Sequence, residues 1–346
     1  MIKEKIDLKS LNREQLEEFL SELGKEKYRT KQILRWIYQR QVTDFEQMTD
    51  LAKQFRQQLQ ERATISSWQP EVVETSTDGT RKYLFRLADG LSVEAVRIPM
   101  DEGRATLCIS TQVGCAMGCQ FCMTGTFGLA RNLRPEEIVN QVCAALQDGP
   151  ITNIVLMGMG EPLHNLDNVV TALQIFYLDD GLGYGTRRVT LSTCGLVPEI
   201  KALSQRIKVQ LAVSLNATTD EVRSQLMPVN QRYPLNVLMD ACRDYALQTK
   251  QRVTFEYTLI DGVNDSMADA KRLVKLLHGV RSKVNLIAYN EHEGAEFKAP
   301  TEESVKAFQS YLLQRDIVAT LRASKGQDIS AACGQLKGKL DAQSVT

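Results

Sequence analysis

Cys115, Cys119 and Cys122 fall within one stretch of nine residues, GCAMGCQFC, spaced C-x3-C-x2-C with Phe121 before the last sulfur. Thiolates are soft ligands, so such a trio selects zinc or an iron–sulfur cluster over hard cations. On a cubane 4Fe–4S cluster, three thiolates would hold three irons and leave the fourth open to bind and reduce a substrate. A zinc site would need a fourth ligand from elsewhere. All three histidines, His164, His278 and His292, lie far from this loop in sequence.

Other residues with chemical potential are scattered. The segment GMGEP, Gly158 to Pro162, follows an apolar run; its glycines let backbone carbonyls approach a ligand closely, and Glu161 adds an acceptor. Cys108 stands seven residues before Cys115, and Cys333 lies in AACGQL near the C-terminus. Taken alone, either cysteine reads as a buried packing residue. Polar residues recur where strands are expected to end: Ser192 in LSTCG, Ser214 and Asn216 around Leu215 in AVSLNAT, and Asn290 in LIAYN. Glu94, in SVEAVRIP, sits mid-strand. Cys143, Cys194 and Cys242 are read as packing residues.

The elements that must position these residues follow from periodicity. Residues 1–65 predict a small helical domain. Asn12 caps a helix with Leu16, Phe19, Leu20 and Leu23 at helical spacing, ended by Gly24. A second helix is expected near 29–39 with Ile33, Trp36 and Ile37 inward, and a third from about Thr49 to Arg62 with Leu51, Phe55 and Leu59 on one stripe. Residues 66–104 alternate apolar and polar side chains between Asp-Gly turns at Asp78-Gly79 and Asp89-Gly90, the pattern of an antiparallel meander. From 105 to 346, strands expected at 105–110, 153–157, 187–193, 209–215, 252–259 and 283–288 alternate with helices. A helix capped by Thr301 and a final strand in DIVATLRAS follow, and the last ten or so residues read as frayed. The chain is therefore α/β: a parallel sheet curled into a partial (β/α)6 barrel, with a small N-terminal helical domain and a short β extension. Such sheets carry their chemistry in loops after the strand C-termini, where the cysteine trio and GMGEP both fall.

Composition bounds the rest. A chain of 346 residues buries about three quarters of its surface without disulfide staples. Eight cysteines and no signal peptide imply a reducing compartment, hence the cytoplasm, and no apolar run approaches membrane-spanning length. With 42 basic and 42 acidic residues the net charge is zero, which argues against a generic nucleic-acid coat. Residues 25–40 nevertheless gather Lys25, Lys27, Arg29, Lys31, Arg35 and Arg40 against Glu26 alone, interleaved with Tyr28, Trp36 and Tyr38. That stretch suits either an RNA-facing patch or an amphipathic helix with a solvated basic face.

The cysteine spacing resembles the radical-SAM superfamily, whose members bind S-adenosylmethionine (SAM) at the open iron of a 4Fe–4S cluster; GMGEP is similar to the segment that holds the SAM ammonium group there. The segment RATLCISTQVGCAMGCQFCMTGTFGLARNL and the ending DISAACGQL closely resemble the RlmN/Cfr family of RNA methyltransferases. The resemblance covers almost the whole chain, including KYRTKQILRWIY. It implies a 4Fe–4S cluster on Cys115, Cys119 and Cys122, with SAM contacts at Gly160, Glu161, Ser192, Ser214, Leu215, Asn216 and Asn290.

Adenine ring carbons carry no lone pair with which to attack a SAM methyl group. The family mechanism, carried onto this chain, first loads a methyl onto Cys333. A second SAM is cleaved reductively, hydrogen is taken from that methyl, and the methylene radical adds to the adenine. Cys108 then attacks Cys333 to free the product as a disulfide forms, and Glu94 accepts the ring proton. The implied substrates are an adenosine in 23S rRNA at the peptidyl-transferase centre and the adenosine 3′ of the anticodon in some tRNAs. The implied reductant is a flavodoxin or ferredoxin, and a monomer is expected. Asn216 stands where some members carry histidine, and Cys194 where many have a smaller or hydroxyl residue. Alternatives are the carbon-8 branch of the same family, an activase for a glycyl-radical enzyme, and a non-catalytic iron–sulfur or zinc RNA-binding protein.

Overall fold

A computed structural model describes residues 5–291 and 296–336; His292 and the frayed tail expected after 336 lie outside them. The chain opens with β1 (Ile6–Asp7) and α1 (Arg13–Glu22). Asn12 and Gln15 form a reciprocal capping box, each side chain accepting the other's backbone N–H at 2.9 Å. Next comes α2 (Tyr28–Leu34), which widens into a π turn over Arg35–Gln39 and buries Trp36, Ile37 and Tyr38. The third helix, α3 (Lys53–Arg62), begins four residues later than expected from Thr49. Leu51 keeps the helical spacing and is buried, but from the turn before the helix, so periodicity alone overshoots the boundary. β2 (Ala63–Thr64) pairs in parallel with β1 and closes this unit.

The basic stretch divides in two. Lys31 and Arg35, joined by Arg13, converge on Asp180 of the barrel at 3.2–3.4 Å, so these cations fasten the helical unit to the rest of the fold. Lys25, Arg29 and Arg40 lie over the rings of Phe55, Tyr28 and Trp36, and Tyr28 is itself exposed.

The meander is β3 (Val72–Thr75), β4 (Arg81–Arg86) and β5 (Ser92–Pro99). It does not stand apart: β5 pairs antiparallel with β6 (Ala105–Cys108), the first barrel strand. After β6, a short hairpin of β7 (Gln112–Gly114) and β8 (Leu129–Asn132) brackets the cysteine loop and the single turn α4 (Met123–Thr126). The βα repeat then continues through α5 (Pro135–Ala145), β9 (Asn153–Leu156), α6 (Leu166–Phe176), β10 (Val189–Thr193), α7 (Val197–Arg206) and β11 (Gln210–Ser214). It ends with α8 (Asp220–Leu226), α9 (Leu235–Thr249), β12 (Val253–Leu259), α10 (Met267–Leu277), β13 (Ser282–Ala288), α11 (Glu302–Leu313) and β14 (Ala319–Leu321). Pro135 opens α5 at its first turn, and Thr219, Ser266 and Thr301 cap α8, α10 and α11.

The sheet runs β14-β13-β12-β11-β10-β9-β6-β5-β4-β3. All six expected parallel strands are present within a residue or two of their predicted spans, and β14 adds a seventh alongside β13. Because each strand runs the same way, their C-terminal ends open on one face, and the helices pack outside as neighbours α5–α6, α7–α9 and α10–α11.

Candidate active site

Tight backbone packing sets the floor of the site. The N–H of Gly158 donates to the Ile109 carbonyl at 3.0 Å, and that of Thr111 to Met159 at 2.9 Å. A Cβ at Gly158 would meet the Ile109 carbonyl at 2.7 Å, and one at Gly160 would meet Gln112 Cβ at 2.5 Å. Gly160 also has φ +98°, a conformation L side chains rarely adopt. The glycines of GMGEP therefore let one strand end lie directly on the segment feeding the cysteine loop.

Above that floor is a cavity of about 170 Å3. Cys115, Cys119 and Cys122 line it together with Gly160 and Glu161, the strand-end residues Ser192, Ser214, Asn216 and Asn290, and Cys333. Of the site residues singled out from sequence, Leu215, Glu94 and Cys108 stand apart from this lining. Leu215 is wholly buried and offers its carbonyl to Arg223. Glu94 is buried on β5, with Lys82 Nζ 3.8 Å from its carboxylate. Lys82 also donates to the carbonyl of Ile329, four residues before Cys333, at 2.5 Å.

Glu161 ties two strand ends together. Its carboxylate accepts the N–H of Leu163 at 3.0 Å and of Cys194 at 2.8 Å, while its own N–H donates to Gln112 Oε1 at 2.7 Å. Burial pushes its pKa up against the pull of those donors. Cys194, expected to be mere packing, thus lines the cavity and positions Glu161; Cys242 does pack in the core on α9. Asn216 adopts φ +55° and accepts the N–H of Thr258 at 2.9 Å. Asn290 Nδ2 donates to the Cys333 carbonyl at 3.2 Å.

Several residues here escaped the sequence reading. Arg223, fully buried on α8, donates to the carbonyls of Cys194, Leu215 and Ser214 and to Asn230 Oδ1 at 2.8–3.1 Å. It braces the ends of β10 and β11 from behind. Arg322 and Glu256 line this cavity and also a larger one of about 690 Å3, shared with Cys108. Cys333 lines both, so it stands where the two chambers meet. No local spacing marks any of these residues, since their partners come from distant strands.

The three loop thiols fit the cluster. Burial, then the charges of neighbouring thiols, drives Cys119 well above its ordinary pKa, and burial pushes Cys115 up to about 12. A cationic centre would hold the three sulfurs as thiolates and offset that penalty. Among the described residues no three His, Cys, Asp or Glu side chains gather as ligands of one ion do. His164 lies against Gln112, and His278 caps α10. Cys108 is buried and its thiol pushed up to about 12 by burial and by the nearby charge of Cys333; both are free cysteines.

Residues 6–65 match the model of the ribosomal RNA large subunit methyltransferase N-terminal domain, and residues 109–274 that of the radical SAM superfamily. The chain is 67% identical over 336 residues to the dual-specificity RNA methyltransferase RlmN of Syntrophotalea carbinolica, covering 97% of this chain and 91% of the relative. It belongs to the RlmN family. RlmN of Geobacter sulfurreducens is 59% identical, with 97% and 93% covered. A crystal structure of a radical SAM methyltransferase from Sphaerobacter thermophilus superposes with a TM-score of 0.89 at 45% identity, covering 96% of this chain and 99% of that one. As a member of the RlmN family the chain is a radical-SAM RNA methyltransferase, and its cofactors are a 4Fe–4S cluster and SAM. The expected fold, enzyme class and cofactors stand. Among the described residues no helix is long and apolar enough to cross a membrane.

Proposed function

We propose that the chain methylates carbon 2 of one adenosine in 23S rRNA at the peptidyl-transferase centre, and of the adenosine 3′ of the anticodon in some tRNAs. The observation that carries this reading is Cys333, set at the junction of a chamber bearing the cluster cysteines and a chamber bearing Cys108. Cys115, Cys119 and Cys122 would hold the cluster. Gly160 and Glu161 take the SAM ammonium group, Ser192 its carboxylate, and Ser214, Leu215, Asn216 and Asn290 the remainder. Bound together, cluster and SAM supply the one-electron chemistry that removes hydrogen from a methyl group.

The chain's own residues do the rest. Cys333 acts as a thiolate and carries the transferred carbon as a thioether. Once that carbon is joined to the adenine, the Cys108 thiolate attacks the Cys333 sulfur; the new S–S bond replaces the S–C bond, whose electron pair stays with the departing carbon, and that carbon takes up a proton to become the methyl group. Glu94 receives the ring proton, and Lys82 links it to the Cys333 segment through Ile329. Residues 1–65 serve as an RNA-binding accessory domain, 66–104 as the β extension, and 105–346 as the catalytic barrel. The target base must leave its stack, which costs a few kcal/mol and least in a loop. The enzyme works in the cytoplasm as a monomer, reduced by a flavodoxin or ferredoxin.

The test uses Cys108→Ala, purified anaerobically with cluster, SAM, reductant and ribosomal RNA. Protein crosslinked to RNA through Cys333 is expected to accumulate, because no thiol remains to release it. SAM cleavage without any adduct overturns the mechanism. Methylation mapped to carbon 8 with the wild-type protein overturns the assigned position.

A further inference from the structure

The larger chamber is the lumen of the barrel. Closed barrels fill theirs with branched apolar side chains. Here the inward positions include Thr106, Thr190, Thr254 and Lys283, which leave the lumen open over about 690 Å3. Glu256 projects from β12 into the boundary between this lumen and the smaller chamber, and is 6% exposed. Its Oε1 accepts Asn285 Nδ2–H at 2.9 Å, yet Oε2 has no hydrogen-bond partner among the described residues. Burial pushes its pKa up, Arg322 and Lys283 oppose that through charge, and neither hydrogen-bonds that oxygen. An unpaired buried carboxylate oxygen is costly, and such an atom is normally matched by something that arrives.

We infer that Glu256 Oε2 accepts a hydrogen bond from the 6-amino group of the target adenine, making Glu256 a determinant of base specificity. This rests on the reaction proposed above. In that reaction the base is joined through one carbon to Cys333 while Cys108 attacks the same sulfur, so the base belongs in the chamber that both cysteines line. The residues matched to SAM by motif, among them Gly160, Ser192 and Ser214, line the other chamber. An ionised carboxylate is acceptor-only. It pairs with the amino group of adenine and opposes the 6-oxo group of guanine or inosine, and a site built for one hydrogen bond rejects the analogue that cannot make it.

The holoenzyme would be titrated with a synthetic hairpin copying the rRNA target loop, with adenosine, purine ribonucleoside (no 6-substituent) or inosine at the target position. Fluorescence anisotropy reads RNA affinity, and equilibrium dialysis reads SAM affinity. Wild type should favour adenosine over purine about tenfold. Glu256→Gln, keeping its oxygen on Asn285, turns an NH2 toward the base and should abolish the preference or shift it to inosine, with SAM affinity unchanged. Glu256→Asp, which keeps the carboxylate, should retain part of the preference and guards against a misfolded Gln variant. A full adenosine preference in Glu256→Gln overturns the inference, as does a wild type indifferent to the 6-substituent. Lost SAM affinity with RNA preference intact also overturns it and hands the carboxylate to the cofactor. Because binding is read without turnover, the inference can fail while Cys108→Ala still traps RNA, and the reverse.

Discussion

Replacing Arg223 with lysine tests whether the cofactor wall depends on one buried guanidinium. Arg223 has no exposed surface and makes four hydrogen bonds: to the carbonyls of Cys194 at 2.8 Å, Leu215 at 3.0 Å and Ser214 at 3.1 Å, and to Asn230 Oδ1 at 3.0 Å. Those acceptors lie on three separate segments, and only a planar fork spans them at once. A lysine ammonium, shorter and without the fork, can meet about two of the four. Hydrogen bonds to a charged donor contribute about 1.5–3 kcal/mol each, so losing two costs about 3–6 kcal/mol. That is a large share of the roughly 5–15 kcal/mol typical of a domain's total stability.

The assay is urea unfolding of Arg223→Lys beside wild type, with SAM binding measured on the folded protein. A lower midpoint is expected, together with SAM affinity weakened at least about tenfold, because Ser214 and Cys194 end the strands that Arg223 braces. Arg206→Lys is the control, since its pair with the exposed Asp167 should contribute nothing measurable. An Arg223→Lys protein with wild-type stability and wild-type SAM affinity would refute the bracing argument. Loss of stability with SAM affinity intact would show that the arginine holds the fold but not the cofactor wall.

Three further outcomes are expected. Gly160→Ala should lose SAM binding, measured by equilibrium dialysis, because the new Cβ would stand 2.5 Å from Gln112 Cβ at a φ of +98°. Burial raises the Cys242 thiol from 9.0 to about 12; the folded state therefore keeps its full stability below pH 9 and loses it as the unfolded chain ionises between 9 and 12. Between pH 8 and 10 wild type should lose about 1.4 kcal/mol more in urea unfolding than Cys242→Ala does. Neutralising Lys25, Lys27 and Arg29 together should weaken rRNA-fragment binding and flatten its salt dependence while SAM cleavage persists; equal RNA affinity would remove this surface from the RNA grip.

Chemistry written into local spacing was legible in the sequence. The cysteine trio, the GMGEP turn and the strand-end serines and asparagines need only a few adjacent residues to be seen, and the parallel strands announce themselves as apolar runs between helices. What escaped depends on residues far apart in the chain. Arg223 looks like any charged residue of an amphipathic helix until β10 and β11 end in front of it. Glu256 sits among Phe255 and Tyr257 in a strand buried on both faces, where no alternation marks it. The β7–β8 hairpin pairs three residues with four across the cysteine loop, too few to give a period. The basic stretch could not be divided from sequence because Asp180, which takes up Lys31 and Arg35, lies almost 150 residues away.

The meander 66–104 acquires its meaning from the C-terminal segment. Ser76 Oγ and the Thr77 N–H donate to the Asp328 carboxylate at 2.6 and 3.1 Å, the Gly326 N–H donates to Asp78 at 3.0 Å, and Lys82 holds the Ile329 carbonyl. On the other side of Cys333, the Met123 N–H donates to the Gly334 carbonyl at 2.7 Å and Thr124 Oγ1 to that of Leu336 at 2.6 Å. Met123 directly follows Cys122. The segment bearing Cys333 is thus pinned upstream by the β extension and downstream by the loop that would carry the cluster. Between the pins, Gly326, Ser330 and Gly334 all have positive φ, and Ser330 does so without being glycine. A non-glycine residue in that region is held there by its surroundings at a cost of order 1–3 kcal/mol. Three added strands, remote from Cys333 in sequence, therefore help fix its segment over a barrel that ends before it.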